Sequence, residues 1–520
     1  MSVGRVSPTT PAGISDAGRP FAVIDIGSNS GRMIVFRLQE GGHLDVIEDA
    51  RAPLRLARAL RAGNELGEEA IERTMEALRD FRAVADGAGA TSITAVATSA
   101  VREAADGPLL LARAAAIGIP LHVIAGDEEA RLGFLGAVHD LPVTGGLTMD
   151  VGGGSTELSL FADRELVRSW TLRLGSLRIS DMHLDGDPPT EKSLKHARRE
   201  IVDLLGAADI PKLSEDDELI GIGGTIRNLA KIDLRRREYP LPLLHGYVLT
   251  QSRLTQIIQD LSARKMTRRA QITGLNPDRA DTIVGGALIV QGIVDHIAAD
   301  HLTVSSRGLR EGMALDRFGG DIPPAWWVRT ISVATLASRF TTWDAQAGSR
   351  RAQLAAALHE ATDPEAPARV REMLGHAASV VDVGRAIDYY DRFQHAAMIV
   401  TAADLGGFAH ADRGLLTAIL RQAADDVRLG AYSRLVDPQE RPSVLRAATA
   451  LALADELNRR MEPGVPPTLS CTFRPKGFEL VAPVPPGWRP RGVATRFRHV
   501  FGRPLIVVPA GSAAGPVPSA

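Results

Sequence analysis

Two short stretches hold most of the residues that could do chemistry. Asp150-Val-Gly-Gly-Gly-Ser155-Thr-Glu157 sets three glycines and a serine between two carboxylates, and Asp25-Ile-Gly-Ser28-Asn29-Ser30 repeats the pattern 125 residues earlier. Glycines at 152, 153 and 154 let the backbone approach a ligand closely. Successive N–H groups in such a turn form a concavity suited to an anion. Asp150 and Glu157 are poor anion ligands themselves, but they can hold a metal or a water beside the anion. A repeat offset by one domain length implies two similar domains, each presenting a phosphate-type loop. Two facing loops make a cleft, the usual place for a small-molecule site.

The elements that must position these loops follow from hydrophobic pattern. Apolar strands enter each loop at 21–25 and 147–150, and alternating strands leave at 32–38 and 156–161. In the first half, further strands are expected at 44–48, 92–98 and 121–125. Helices are expected at 68–85, where Ile71, Met75, Leu78 and Phe81 share one face, at 109–116, and from Asp127 to about 138. The order is β-β-β-α-β-α-β-α. The pattern restarts after Gly145, with strands at 147–150, 156–161, 165–172, 218–222 and 302–305 and helices near 190–206, 250–263, 279–299 and from 309. Residues 325–462 are rich in alanine and arginine at helical spacing, and 466–509 regain strand character around a basic helix. The expected organisation is a lead-in (1–20), domains at 21–143 and 144–318, a helical domain (325–462), a small α+β region (466–509) and a low-complexity tail (510–520).

Composition narrows the function classes. The 520 residues carry a formal net charge of −2, so no global basic field draws in a polyanion and any anion must be held by local geometry. Cys471 is the only cysteine, which excludes intrachain disulfides and thiolate metal clusters and fits a reducing compartment. No apolar run approaches a membrane span, and the first 20 residues lack a hydrophobic leader core. A cytoplasmic protein with no membrane partner is expected. No nucleic-acid-binding fold or aromatic-lined basic surface is present, so no nucleic acid partner is expected.

Two such domains with paired Asp-X-Gly loops resemble the actin-like ATPase fold, and in detail the exopolyphosphatase and guanosine pentaphosphate phosphohydrolase (Ppx/GppA) family. The resemblance rests on Asp25–Ser30, Ala97-Thr-Ser-Ala-Val-Arg102, Gly126-Asp-Glu128-Glu129-Ala-Arg131, Asp150–Glu157, Gly223-Gly224-Thr225 and Leu309-Arg310-Glu311-Gly312. It implies an α/β chain of two actin-like (ribonuclease H-like) domains with an interdomain cleft, then an all-helical HD-like domain and a small α+β region. It implies a phosphoanhydride hydrolase, releasing terminal orthophosphate from inorganic polyphosphate or cleaving guanosine pentaphosphate. A non-catalytic sensor of either ligand is the rival. It further implies Mg²⁺, a homodimer, and residue roles. Glu129 would orient or deprotonate water, with Glu128 as the structural neighbour. Ser28, Asn29, Ser30, Arg102, Gly152, Gly153, Gly154 and Ser155 would bind phosphate, and Asp150 and Glu157 would place the metal or water. Asp25 either shares that role or is a structural strand end. Gly224 and Thr225 either support a guanosine or close a strand–helix turn. Arg310 and Glu311 are expected to form a structural ion pair.

The helical segment departs from the pattern. Ala378-Ser-Val-Val381-Asp382-Val-Gly384 carries Val381 where an HD motif needs His, leaving His395 and Asp404 as isolated candidates. A structural, dimer-forming or channel-lining domain is expected. Basic clusters at Arg235–Arg237, at Arg264, Lys265, Arg268 and Arg269, and from Arg489 to Arg503 are either a track for a long polyphosphate or solvated faces.

Overall fold

The computed structural model describes residues 18–39, 43–60, 64–320, 322–424, 430–462, 464 and 466–510. The expected lead-in up to residue 17, and the tail from 511, lie outside the described residues. The chain divides into two units at Ile331/Ser332.

In the first unit, β1 (Phe21–Ile26), β2 (Ser30–Leu38) and β3 (Leu44–Pro53) form an antiparallel meander, followed by α1 (Leu56–Leu60) and α2 (Gly67–Gly87). β4 (Ile93–Ala97), α3 (Ser99–Glu103), α4 (Gly107–Ala116), β5 (Leu121–Val123) and α5 (Gly126–His139) complete the first half, giving a sheet of order β3-β2-β1-β4-β5. β1 pairs antiparallel with β2 and parallel with β4, and five of its six residues are buried, so its text is apolar rather than alternating. α2 buries Ile71, Met75, Leu78 and Phe81 against one face, the stripe its spacing predicts.

The second half repeats the plan. β6 (Gly146–Val151), β7 (Thr156–Ala162) and β8 (Glu165–Leu172) form a meander, and α6 (Ser176–His183) and α7 (Glu191–Ala207) precede β9 (Glu218–Ile222). Next come α8 (Gly223–Arg236), β10 (Tyr247–Thr250), α9 (Gln251–Ser262), α10 (Met266–Arg269), a single 3-10 turn (Pro277–Arg279), α11 (Ile283–His296), β11 (His301–Val304) and α12 (Leu309–Asp316). The sheet order is β10-β11-β9-β6-β7-β8. The pattern reading lacked α6, β10 and α10, all too short for periodicity to show. It also started α11 at Arg279; Pro277 and the 3-10 turn delay it to Ile283.

α5 and α12 cross in close contact. A Cβ on Gly136 would lie 2.1 Å from Gly308 O, and one on Gly312 would lie 1.8 Å from Leu132 O. These glycines let the last helices of both halves touch backbone to backbone, which ties the start of α12 to the helix bearing Glu129.

After α13 (Ala325–Ser338), the second unit contains α14 (Ala345–Thr362), α15 (Ala368–Val380), α16 (Arg392–Ala402), α17 (His410–Ala423) and α18 (Arg441–Asn458). β12 (Ser470–Arg474), β13 (Gly477–Ala482), α19 (Arg491–Phe501) and β14 (Leu505–Pro509) follow, with sheet order β12-β13-β14. Phe478, Leu480 and Phe497 share one core with Leu354, Leu416 and Leu451. No helix among the described residues is long and apolar enough to cross a membrane.

Candidate active site

Both glycine loops are the tips of strand hairpins with matching closure. Gly27 N donates to Ser30 O at 3.2 Å, and Gly152 N donates to Ser155 O at 3.0 Å. The tip residues, Ser28–Asn29 and Gly153–Gly154, lie outside the strand ladders, where their N–H groups can serve as donors. The two tips face each other. A Cβ at Gly153 would come within 3.3 Å of Ser28 Cβ, and one at Gly154 within 3.0 Å of Ser99 Oγ. The glycine run is thus required by the approach of one loop to the other. Ser28 and Ser99 share a 2.7 Å hydroxyl hydrogen bond beside this contact.

Between the loops lies a cavity of about 120 Å³. Asp25, Ser28, Asn29, Ser30, Glu129, Asp150, Gly152, Gly153, Ser155, Glu157 and Gly224 line it. Three expected residues stand just behind the lining. Arg102 donates to Ile124 O at 2.7 Å and lies 3.5 Å from Glu129 Oε2, so it holds the carboxylate. Gly154 makes the contact between loops, and Thr225 Oγ1 donates to Val151 O at 3.1 Å, a buried structural bond. Of the two adjacent acids, Glu129 lines the cavity, while Glu128 takes both its hydrogen bonds from Arg131 at 2.8 and 2.9 Å.

Strand register supplies Asp25, Asp150 and Glu157. Asp150 pairs with Glu157 across β6 and β7, and Asp25 pairs with Arg32 across β1 and β2. The helix start after Gly126 supplies Glu129. Gly223, at φ +81°, begins α8 beside Asp150, where a Cβ would sit 2.1 Å from Asp150 Oδ1. Thus Gly223 makes room for the carboxylate and Gly224 for a guanidinium, since a Cβ there would lie 2.2 Å from Arg279 Nη2.

Four guanidiniums, of Arg32, Arg227, Arg279 and Arg310, also line the cavity. Sequence reasoning missed the first three. A signal existed for two of them: the 125-residue offset that maps Asp25 onto Asp150 also maps Arg32 onto Glu157 and Arg102 onto Arg227. Arg279 ends a 3-10 turn and has no comparable signal. The expected Arg310–Glu311 ion pair is corrected. Glu311 Oε2 accepts from Gly308 N at 2.8 Å, capping its own helix, and Arg310 belongs to the cavity.

Burial dominates the electrostatics. It raises the Asp25 carboxyl to about 6 against the opposing charges of Arg310 and Arg32. Asp150 is raised by the same cause, opposed chiefly by Arg227 and Arg279. Glu129 and Glu157 are both pushed up, by burial first; the charge of Asp25 adds to the rise of Glu129, and that of Glu129 to the rise of Glu157. On the cationic side, burial and the neighbouring guanidiniums bring Arg32 down to about 9. A cavity that crowds like charges on each side calls for a ligand carrying both signs, an oxyanion with its cation.

The donor set fits a hard dication. Glu157 Oε1 is buried with no hydrogen-bond partner, an acceptor awaiting a cation or water. Among the described residues, the three-ligand cluster in which all atoms lie within 4.8 Å of one another is elsewhere, Asp388, Asp391 and His395 in the second unit. A cation in the cleft would therefore take one or two carboxylates and complete its shell with water and phosphate oxygens, the habit of Mg²⁺.

Other expectations are redrawn. Asp382 Oδ2 accepts from Arg351 Nη2 at 2.6 Å and Arg351 Nε donates to Asp455 at 3.0 Å, so a buried guanidinium accompanies the acid of the incomplete HD motif. His395 groups with Asp388 and Asp391, apart from Asp404. In the basic clusters, Arg236 and Arg264 both pair with Asp260, and Arg269 is buried against Asp187. Arg269 is committed to the fold, Arg236 and Arg264 stand in half-exposed ion pairs, and the cleft cations come from other segments.

Paired sheets with mirrored phosphate loops around a cleft define an actin-like phosphate-handling protein. The chain belongs to the Ppx/GppA phosphatase family, whose model matches residues 34–319, and the model for Ppx/GppA phosphatase, domain III, matches residues 328–485. It is 31% identical over 315 residues to "Exopolyphosphatase 2" of Mycobacterium tuberculosis, covering 57% of this chain and 98% of that one. The Aquifex aeolicus Ppx/GppA family member is 27% identical, with a TM-score of 0.51 over 57% of this chain and 97% of its own. An exopolyphosphatase from Cytophaga hutchinsonii, 23% identical with a TM-score of 0.54 over 58% of this chain and 98% of its own, shares the fold. The chain is thus an enzyme, a phosphoanhydride hydrolase with two actin-like domains.

Proposed function

We propose that this enzyme is an exopolyphosphatase, releasing terminal orthophosphate from inorganic polyphosphate by attack of water on the last phosphorus. The carrying observation is that two facing phosphate loops, five carboxylates and four guanidiniums line one cavity of about 120 Å³.

The residues divide the work by charge. Backbone N–H groups of Ser28–Ser30 and Gly153–Ser155, with the side chains of Asn29 and Ser155, donate to phosphoryl oxygens where charge develops, while Gly152 N–H closes its own loop on Ser155 O. Arg32, Arg227, Arg279 and Arg310 neutralise the chain end, and guanidinium does this bidentately. Glu129, oriented by Arg102, holds the attacking water and in its ionised form accepts the water's proton; its pKa, raised to about 8 chiefly by burial, places that ionisation near the operating pH. Asp150 and Glu157, with Asp25 beside them, would hold Mg²⁺, which when bound supplies charge neutralisation at the phosphoryl oxygens. A cytoplasmic homodimer belongs to the same reading, and light scattering tests the dimer.

The test is phosphate release by the full-length chain from long polyphosphate and from guanosine pentaphosphate, with Mg²⁺ varied. Faster release per enzyme from polyphosphate is expected. Preference for guanosine pentaphosphate would make the enzyme a pentaphosphate phosphohydrolase, and binding of either without release would make it a sensor.

A further inference from the structure

The mouth of the cleft carries opposite charge on its two lips. Arg51 at the end of β3, with Arg55 and Arg58 at α1, face Asp181 on α6 and Asp278 and Asp281 before α11. Arg58 Nη2 lies 2.8 Å from Asp281 Oδ2 and 3.6 Å from Asp181 Oδ1. Arg55 Nη1 lies 3.3 Å from the same Asp281 oxygen, and Arg51 Nη2 lies 3.8 Å from Asp278. Asp281 thus serves two guanidiniums through one oxygen, while its Oδ1 is buried without a hydrogen-bond partner.

The arginine lip and the α6 part of the acidic lip are each fastened by backbone to one phosphate loop. Leu54 N and Arg55 N donate to Asn29 O at 3.1 and 3.0 Å, and Ala57 N donates to Ser28 O at 2.9 Å. On the other side, Ser176 N donates to Gly152 O at 2.9 Å and Leu177 N to Gly153 O at 3.0 Å, at the start of the helix that bears Asp181. Arg55 is held at φ 51°, a conformation strained for a residue with a Cβ. Inward of the lips, the charge of Arg51 is among those that depress Arg32, Arg227 and Arg279, so the lip cations continue the cationic side of the cavity.

We propose that Arg55 and Arg58 clasp Asp181 and Asp281 across the cleft mouth, setting the spacing of the two phosphate loops, and that the phosphates of an anionic chain release the clasp by taking over its guanidiniums. The second clause rests on the polyphosphate reading above. Ion pairs at this exposure are weak and screened by salt, so a competing anion can displace them. Guanidinium can donate bidentately to a phosphate, whereas here Arg55 and Arg58 share a single oxygen of Asp281. These residues touch no reacting atom and act through the loops, so they are positioning residues. Loop spacing matters because small misplacements of catalytic groups cost rate steeply.

The experiment uses the full-length chain and three variants: Asp181→Asn with Asp281→Asn, Arg55→Gln with Arg58→Gln, and all four together. Spin labels at Glu76 and Lys195, exposed on α2 and α7, in a Cys471→Ser background report the distance between the two halves without turnover. The parent should show a narrow distance distribution. It should broaden alike in all three variants and in the parent on adding long polyphosphate. In phosphate release from tripolyphosphate, a chain short enough to leave the lips paired, kcat should fall about 3- to 10-fold in either pair variant, no further in the quadruple variant, and lose its salt dependence in all three; with saturating long polyphosphate, which opens the clasp in the parent as well, the Asp181→Asn with Asp281→Asn variant should match the parent's kcat. Losses that multiply in the quadruple variant, or distances unchanged in both pair variants, overturn the clasp. Broadening in the variants but not with polyphosphate overturns its release by an anionic chain. A parent that releases no phosphate while its distances respond as described leaves the clasp standing and refutes the hydrolytic reading instead.

Discussion

Glu129→Gln separates catalysis from stability, because the two should move in opposite directions. Glu129 is buried beside Asp25, Asp150 and Glu157, and only Arg102, 3.5 Å away, offsets their repulsion. Burial and those charges raise its folded pKa above the unfolded value of 4.5. A carboxyl raised in this way binds its proton more tightly when folded. Its contribution is fully present below the unfolded pKa and is lost as pH rises through the folded one. At neutral pH the unfolded chain ionises this group freely while the folded one must hold its proton, so the group costs stability on the order of 1–3 kcal/mol. Glutamine keeps the shape and an acceptor for Arg102 but removes that cost, so the variant should melt higher, by an increment that grows from pH 5 to 8. Turnover should fall by about 10²-fold or more, the usual loss when a positioned base goes, equivalent to about 2.7 kcal/mol of barrier. Phosphate release under saturating polyphosphate, with thermal melts across pH, reads both effects. Near-normal turnover in the folded variant would remove Glu129 from the mechanism. A parallel fall in activity and melting temperature would make it a structural residue.

Further perturbations probe the remaining groups. Asp150→Asn should raise the Mg²⁺ concentration needed for half-maximal activity, since a hard dication prefers anionic oxygen; an unchanged titration would make Asp150 a structural strand end. Gly223→Ala places a Cβ 2.1 Å from Asp150 Oδ1 at φ +81°, so it should cost about 1–2 kcal/mol for backbone strain alone and cut turnover at least tenfold by displacing the carboxylate. Wild-type kinetics would show that the carboxylate can move freely. Asp140, which burial alone would push up, is instead held well below the usual carboxylate range by Arg307, His139 and His245. Its contribution to stability is present above the unfolded value of 3.8 and is lost only as pH falls through the depressed folded value. Asp140→Asn should therefore cost about 3–5 kcal/mol at neutral pH and flatten the acid limb of the denaturation profile, and an unaltered urea midpoint at pH 7 would contradict this.

Much of this protein was determined by the sequence alone, wherever the physics is local. Hairpin loops need glycines within a few residues of strand ends, so Asp25–Ser30 and Asp150–Glu157 announced themselves, and the 3.6-residue stripe of α2 did the same. Glu129 and Glu128 were separable only by tertiary structure, because neighbours on a helix differ by which surface the helix buries. One faces the cavity and the other pairs with Arg131 on the outside. The cationic half of the site is a tertiary product throughout. Arg32, Arg227, Arg279 and Arg310 come from a strand, a helix start, a 3-10 turn and another helix start, and meet only because two sheets and the α5–α12 crossing bring those segments together. By contrast, the conspicuous runs at 235–237 and 264–269 have arginines paired with Asp260 or Asp187. Charge runs are visible in sequence, but whether an arginine meets an aspartate of its own fold or a ligand depends on long-range packing, and no local pattern encodes it.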